Sequence, residues 1–213
     1  MLYGNRMSIK TDRDLVQIVD AAMAEAIRKS GPWLACRPGC YQCCLGPFPI
    51  NRLDAIRLRR GLADLETQDP ARAERVRQRA LAAIERMRRE YPVATPAAVL
   101  AREGEAGDEP CPALDPLSGF CDLYEARPVT CRTFGPAVRL GAEEGPIGTC
   151  ELCYRGASDE EIAACEVIVD PANLESELLS ALAEKDGEGE TIVAFALAGI
   201  SDSPCSVSPV VPF

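Results

Sequence analysis

Apolar positions recur every three or four residues over several stretches of this chain, the spacing that turns one face of an α-helix inward. From Asp12 to Ser30 the apolar set is Leu15, Ile18, Val19, Ala22, Ala26 and Ile27. Thr11 and Asp14 before it form a capping-box pattern, and Gly31-Pro32 stops it. A second helix is predicted over about 52–65, capped by Asn51, with Leu53, Ile56, Leu58 and Leu62 inward. A third starts at Asp69-Pro70 and runs to Tyr91 before Pro92, with Val76, Ala80, Ala83, Ile84 and Met87 inward and arginines outward. Helices are predicted again at 158–166 and 171–185, with Ser158 and Asp170 as caps.

Between these stretches the pattern breaks. Residues 103–110 read as a polar exposed loop, and 111–139 as a compact segment punctuated by Cys and Pro, with room for one short hairpin. The tail after Ser201 is rich in proline and has no periodicity, and no long internal repeat is present. Hydrophobic residues make up 47% of the chain but aromatics only 5%, so alanine and leucine must fill the core. That supply suits helices more than a large β-sandwich. The expected fold is mainly α, with helices packed around an irregular, loop-rich, cysteine-ligated metal core. One helical domain is expected over 1–201, its cysteine core at about 33–155, followed by an irregular tail over 202–213.

The cysteines carry the chemistry. Cys36, Cys40, Cys43 and Cys44 fall within nine residues, between the turn signals Pro38-Gly39 and Gly46-Pro47. Cys111, Cys121 and Cys131 follow at an even spacing of ten, and Cys150 and Cys153 form a Cys-x-x-Cys pair. Closely spaced thiolates on irregular backbone suit zinc and iron–sulfur clusters, because several sulfurs must converge on one point. A Cys₄ zinc site would take Cys40 and Cys43 with a later pair. A cubane would take Cys36, Cys40 and Cys43 with Cys131 or another distant cysteine. Cys43 and Cys44 are adjacent, and neighbouring side chains diverge on most backbones, so both on one zinc would be strained. Cys150 and Cys153 read equally as ligands or as core, Cys165 as a small buried hydrophobe, and Cys205 as free.

The chain contains no histidine. That excludes Cys₂His₂ zinc, His-Glu-x-x-His hydrolase sites, facial-triad iron and histidine-dependent triads. A radical S-adenosylmethionine reading of the Cys-x₃-Cys-x₂-Cys triad is opposed by Gln42, where an aromatic is usual, and by the missing strand–helix alternation of a barrel. A thiol–disulfide switch at Cys43-Cys44 or Cys150-Cys153 lacks a thioredoxin-like βαβ pattern.

Charge and hydropathy narrow the partners. The net charge is −10; residues 52–90 hold eleven Arg against seven acids, and 140–213 hold two basic residues against fifteen acids. Tyr91, just past its end, is the only aromatic beside the basic segment, so the charge reads as solvated helical faces and no nucleic-acid partner is expected. The longest apolar patch, Ile192 to Ile200, is half a membrane span, and the first ten residues lack a signal-peptide pattern. A cytoplasmic protein with reduced thiols is expected, without membrane attachment. The expected partners are a metal ion or cluster, with a protein partner open.

Cys36-x₃-Cys40-x₂-Cys43-Cys44, taken with Cys111-x₉-Cys121-Asp-Leu-Tyr124-Glu-Ala-Arg127-Pro128-Val-Thr-Cys131-Arg132, resembles the YkgJ-type cysteine-cluster proteins. The resemblance covers roughly residues 33–155. Flagellin lysine N-methylases look related to that family. It implies a zinc- or iron-chelating domain whose first gap here has three residues where the family pattern has two. The metal candidates are Cys36, Cys40, Cys43, Cys44, Cys111, Cys121 and Cys131, with Cys150 and Cys153 beside them. Within the motif, Tyr124 is expected to pack beside the site, and Arg127 and Arg132 to bond loop carbonyls or offset thiolate charge. An anionic substrate on those arginines is the alternative. The reading is an all-cysteine metal protein, iron–sulfur before zinc. A zinc-stabilised interaction module and a part in lysine methylation or other redox modification stand beside it.

Overall fold

The computed structural model describes residues 11–90, 109–141, 147–186 and 189–199. The predicted loop at 103–108, the end of the third helix at Tyr91, Cys205 and the tail lie outside the described residues. The helices are α1 (Asp12–Ser30), α2 (Arg52–Gln68), α3 (Pro70–Glu90), α4 (Val129–Arg132), α5 (Asp159–Cys165), α6 (Leu174–Asp186) and α7 (Val193–Ala198). Among the described residues four short strands accompany them: β1 (Ile50–Asn51), β2 (Val138–Leu140), β3 (Val167–Val169) and β4 (Glu190–Thr191). The fold is mainly α.

Local signals account for the long helices. Thr11 accepts from the Asp14 backbone N–H while the Asp14 carboxylate accepts from the Thr11 N–H, closing the capping box of α1. Asn51 caps α2 through the Asp54 N–H. Ser158 and Glu161 form a second capping box on α5. α6 begins at Leu174, later than periodicity indicates. Asp170 and Asn173 hold φ of 52° and 54°, and the Asp170 carboxylate accepts the N–H groups of Leu174 and Glu175. The chain must turn there before it can coil.

Two main cores result. In the first, α2, α3 and α7 pack through Leu58, Leu62, Val76, Ala80, Val193 and Ala196. The apolar run from Ile192 is therefore a short buried helix. Among the described residues no helix is long and apolar enough to cross a membrane. In the second core, Leu15, Val19 and Met23 of α1 meet Val138, Val169 and Leu174. Met23 takes the inward place expected for Ile27, which is 52% exposed; Leu15, Val19, Met23 and Ala26 form the true stripe.

The strands tie distant segments together. β1 pairs antiparallel with β4, Ile50 opposite Thr191. β2 pairs parallel with β3, Val138 opposite Val167. An isolated antiparallel bridge of Leu114 to Cys121 closes the tight turn in the 111–139 segment.

Candidate metal centre

All ten cysteines of the described residues are free thiols. Eight sit on loops and turns held against the helices, Cys131 lies in α4 and Cys165 ends α5. Gln42–Cys44 forms one 3₁₀ turn, in which the Cys44 N–H donates to the Tyr41 carbonyl at 2.7 Å. The Cys111 N–H donates to the Cys44 carbonyl at 2.7 Å, which fastens the Cys111 loop to the Gln42–Cys44 turn. The Leu114–Cys121 bridge then returns Cys121 beside Cys111, and α4 carries Cys131.

The helices position these loops through polar contacts to a buried Asp54, Asp122 and Arg132. Asp122, next to Cys121, is paired with Arg72 and, at 2.5 Å, with Arg79 of α3. The Arg79 Nε also donates to the Pro112 carbonyl at 2.8 Å, so one guanidinium holds both cysteine arms. Asp54 of α2, itself 1% exposed, accepts the Val129 N–H at the start of α4. Arg132 is buried, paired with Asp20 of α1 at 2.7 Å, and donates to the carbonyls of Arg127 and Glu125. Arg127 stacks over the Tyr124 ring, its guanidinium carbon 3.5 Å from the centroid. Sequence reasoning did not single out Asp54, Asp122 or Gly135. Asp54 carried a signal, an acid lodged between Leu53 and Leu58 on an inward face.

The thiols fall into two sets by their strongest mutual interactions. Cys43, Cys44, Cys111, Cys121 and Cys131 form one. The sulfurs of Cys43 and Cys44 stand 4.0 Å apart, so these adjacent side chains converge instead of diverging. The tight 3₁₀ turn brings them to the same side. A hydrogen bond from Cys44 and the positive charge of Arg127 lower the Cys43 thiol to about 6, whereas Cys44 is raised by the same bond and by burial. Burial pushes Cys111 up to about 12 and raises Cys121 and Cys131.

The other set is Cys36, Cys40, Cys150 and Cys153. Burial and the neighbouring Cys153 push the Cys36 thiol up to about 12, and burial raises Cys150. The strongest partners of Cys36 are therefore Cys153, Cys40 and Cys150, not Cys43. Cys165 is buried at the end of α5, with its Sγ 3.5 Å from the Lys29 carbonyl.

No three Cys, Asp or Glu side chains among the described residues stand in a ready-made metal-holding arrangement. Loading a metal must draw the sulfurs together. The donor chemistry fits zinc or an iron–sulfur cluster, since every candidate is a thiol and thiolates are preferred by both. A cavity of about 20 Å³ touches Cys111, room for little more than a water. A larger cleft of about 290 Å³, lined by Arg59, Leu62, Leu81 and Leu197 among others, contains no cysteine.

No curated protein and no solved structure matches this chain. One family model does, over residues 35–154, and its description reads "Putative zinc- or iron-chelating domain". The matched span begins just before Cys36 and ends just after Cys153, so it encloses both sets of thiols. By that match over more than half its length, the chain belongs to the CxxCxxCC family of zinc- or iron-chelating domains, the YkgJ-type cysteine-cluster proteins.

Proposed function

We propose that this protein holds an iron–sulfur cluster on the set Cys43, Cys44, Cys111, Cys121 and Cys131. One observation carries the reading: Cys43 and Cys44 of one turn, with sulfurs 4.0 Å apart, Cys111 and Cys121 of a second loop hydrogen-bonded to it, and Cys131 of α4 lie close enough to act on one another's charge. A single tetrahedral ion needs four sulfurs and leaves the fifth without a role, whereas a cluster presents several irons to ligands around it. Partial burial and the charge of Arg127, felt by both Cys43 and Cys121, suit an anionic centre. The free state of the ten described cysteines supports a reducing, cytoplasmic setting.

A second reading puts zinc in this set and makes the protein an interaction module. It draws support from Tyr41, Phe120, Tyr124 and Phe134, large aromatic residues exposed on the cysteine-bearing segments. Metal, acid-labile sulfide and visible absorption measured on anaerobically purified protein separate the two. Brown protein with iron and sulfide is the expected result. Colourless protein with zinc alone would overturn the iron–sulfur reading and favour the module.

A further inference from the structure

We infer that the cleft between α2, α3 and α7 is a binding site for a medium-length aliphatic carboxylate, apart from the cysteines and independent of the metal they hold. No cysteine lines it.

The three helices build it from the same two kinds of side chain. α2 contributes Arg59 and Leu62, and α3 contributes Arg77 and Leu81. Each pair is one turn apart, so each helix presents an arginine beside a leucine on one face. Leu62 and Leu197 are buried members of the first core and give the cleft an apolar floor. Leu81 lies off the inward stripe of α3 and is 54% exposed, an apolar side chain at the cleft with no place in the core. α7 is only six residues long and ends at Gly199, at a φ of 71°, so its last turn borders the cleft. Grooves between packed helices, apolar with a few fixed polar groups, are common places for small ligands.

The two arginines differ in how their charge is met. Arg77 donates to both carboxylate oxygens of Glu66, at 3.1 and 2.5 Å, with Glu74 3.9 Å away. Its charge is balanced within the protein. Arg59 has one bond, from its Nε to the Ala196 carbonyl at 3.1 Å, and among the described residues no carboxylate pairs with it. That bond holds the guanidinium at the cleft while both terminal nitrogens keep N–H groups to donate. A guanidinium fixed in this way loses less freedom when it takes up an anion.

Charge and shape then select the ligand. One unbalanced cation beside leucines calls for one anionic head on an apolar body. The lining holds no aromatic, hydroxyl or amide side chain, so no side chain there recognises a base or a sugar. The volume of about 290 Å³ equals the share of about ten waters, the size of octanoate and far below that of a two-chain lipid.

Calorimetric titration of the full-length protein with octanoate tests the site. One octanoate per chain is expected, with octanol on the order of tenfold weaker and octylamine not bound. Arg59→Gln should lose that factor for octanoate and bind octanol as the wild type does, whereas Leu81→Ser should weaken both. Both side chains are exposed, so neither change touches the core, and helical circular dichroism checks the fold. Metal content should be the same in all three proteins, so a failure here leaves the iron–sulfur reading standing. Undiminished octanoate binding by Arg59→Gln, equal binding of the three probes, or no saturable binding would each overturn the proposal. So would retention on phosphatidylglycerol vesicles without octanoate binding, which would assign the cleft to a membrane surface. A dimer split by Leu81→Ser but not by octanoate would assign it instead to a second copy of the chain.

Discussion

Asp54 of α2 accepts a hydrogen bond from the backbone N–H of Val129 at 3.0 Å and so anchors the helix that carries Cys131. The same carboxylate is paired with the Arg57 guanidinium at 2.5 Å, and Arg57 reaches the Arg127 carbonyl at 3.3 Å. Burial raises the Asp54 carboxyl against the opposing pull of Arg57. Asp54→Ala strips a buried N–H and a buried guanidinium of a partner at once. The expected cost is on the order of 3 kcal/mol in urea unfolding, with reduced metal content at the five-thiol set. A variant as stable as the wild type would show that Asp12, the other partner of Arg57, carries the network alone.

Gly61 tests the packing that sets the height of the cysteine loop above α2. In an ordinary helix interior Gly→Ala gains about 1 kcal/mol from propensity. Here the new methyl would lie 2.3 Å from the Ala126 Cβ, a side chain with no rotamer to escape into. Overpacking of this kind costs about 1–3 kcal/mol, so the clash outweighs the propensity gain. Gly61→Ala is expected to lower the melting temperature. An increase would mean that the Tyr124–Ala126 turn yields freely.

Gly135→Ala tests the close approach of Gly135 to Cys36. The backbone φ of 123° is a region that L side chains rarely adopt, and the methyl would meet the Cys36 sulfur. Gly135→Ala is expected to lower the melting temperature of the metal-depleted protein. A melting temperature equal to that of the wild type would show that the Cys36 side chain yields freely.

Cys43 should be the reactive thiol of metal-depleted protein. Its folded value lies near 6, below the ordinary thiol, so the thiolate is present above that pH and is lost as pH falls through it. Cys111 is shifted the other way, up to about 12, and stays protonated through neutral pH. Iodoacetamide labelling followed by mass spectrometry is expected to modify Cys43 first, with a rate midpoint near pH 6. A midpoint in the usual thiol range of about 8.5 would sink the assignment.

What could be read directly from the residues was whatever depends on short-range pattern. α1 spans Asp12–Ser30 as periodicity and the Thr11 box indicated, and α3 starts at Pro70 as expected. A cap, a proline and a 3.6-residue stripe act within one or two turns, so they are legible without the rest of the chain. The same holds for the bare fact of metal chemistry: clustered thiols and no histidine leave few other choices.

The grouping of the thiols was not legible. Cys36 and Cys43 lie in one nine-residue cluster, yet the strongest interactions of Cys36 run to Cys153, Cys40 and Cys150, and those of Cys43 to Cys44. The segment at 147–154 is brought against residues 33–36 by the Val138–Gly148 bridge, the Cys150 N–H bond to the Gly135 carbonyl and the Tyr154 N–H bond to the Trp33 carbonyl. Three-residue strands leave no periodic trace. The sequence by itself determined that this chain would gather sulfur around helices; only the tertiary structure decided which sulfurs meet, because that depends on long-range packing between segments with no local signal of each other.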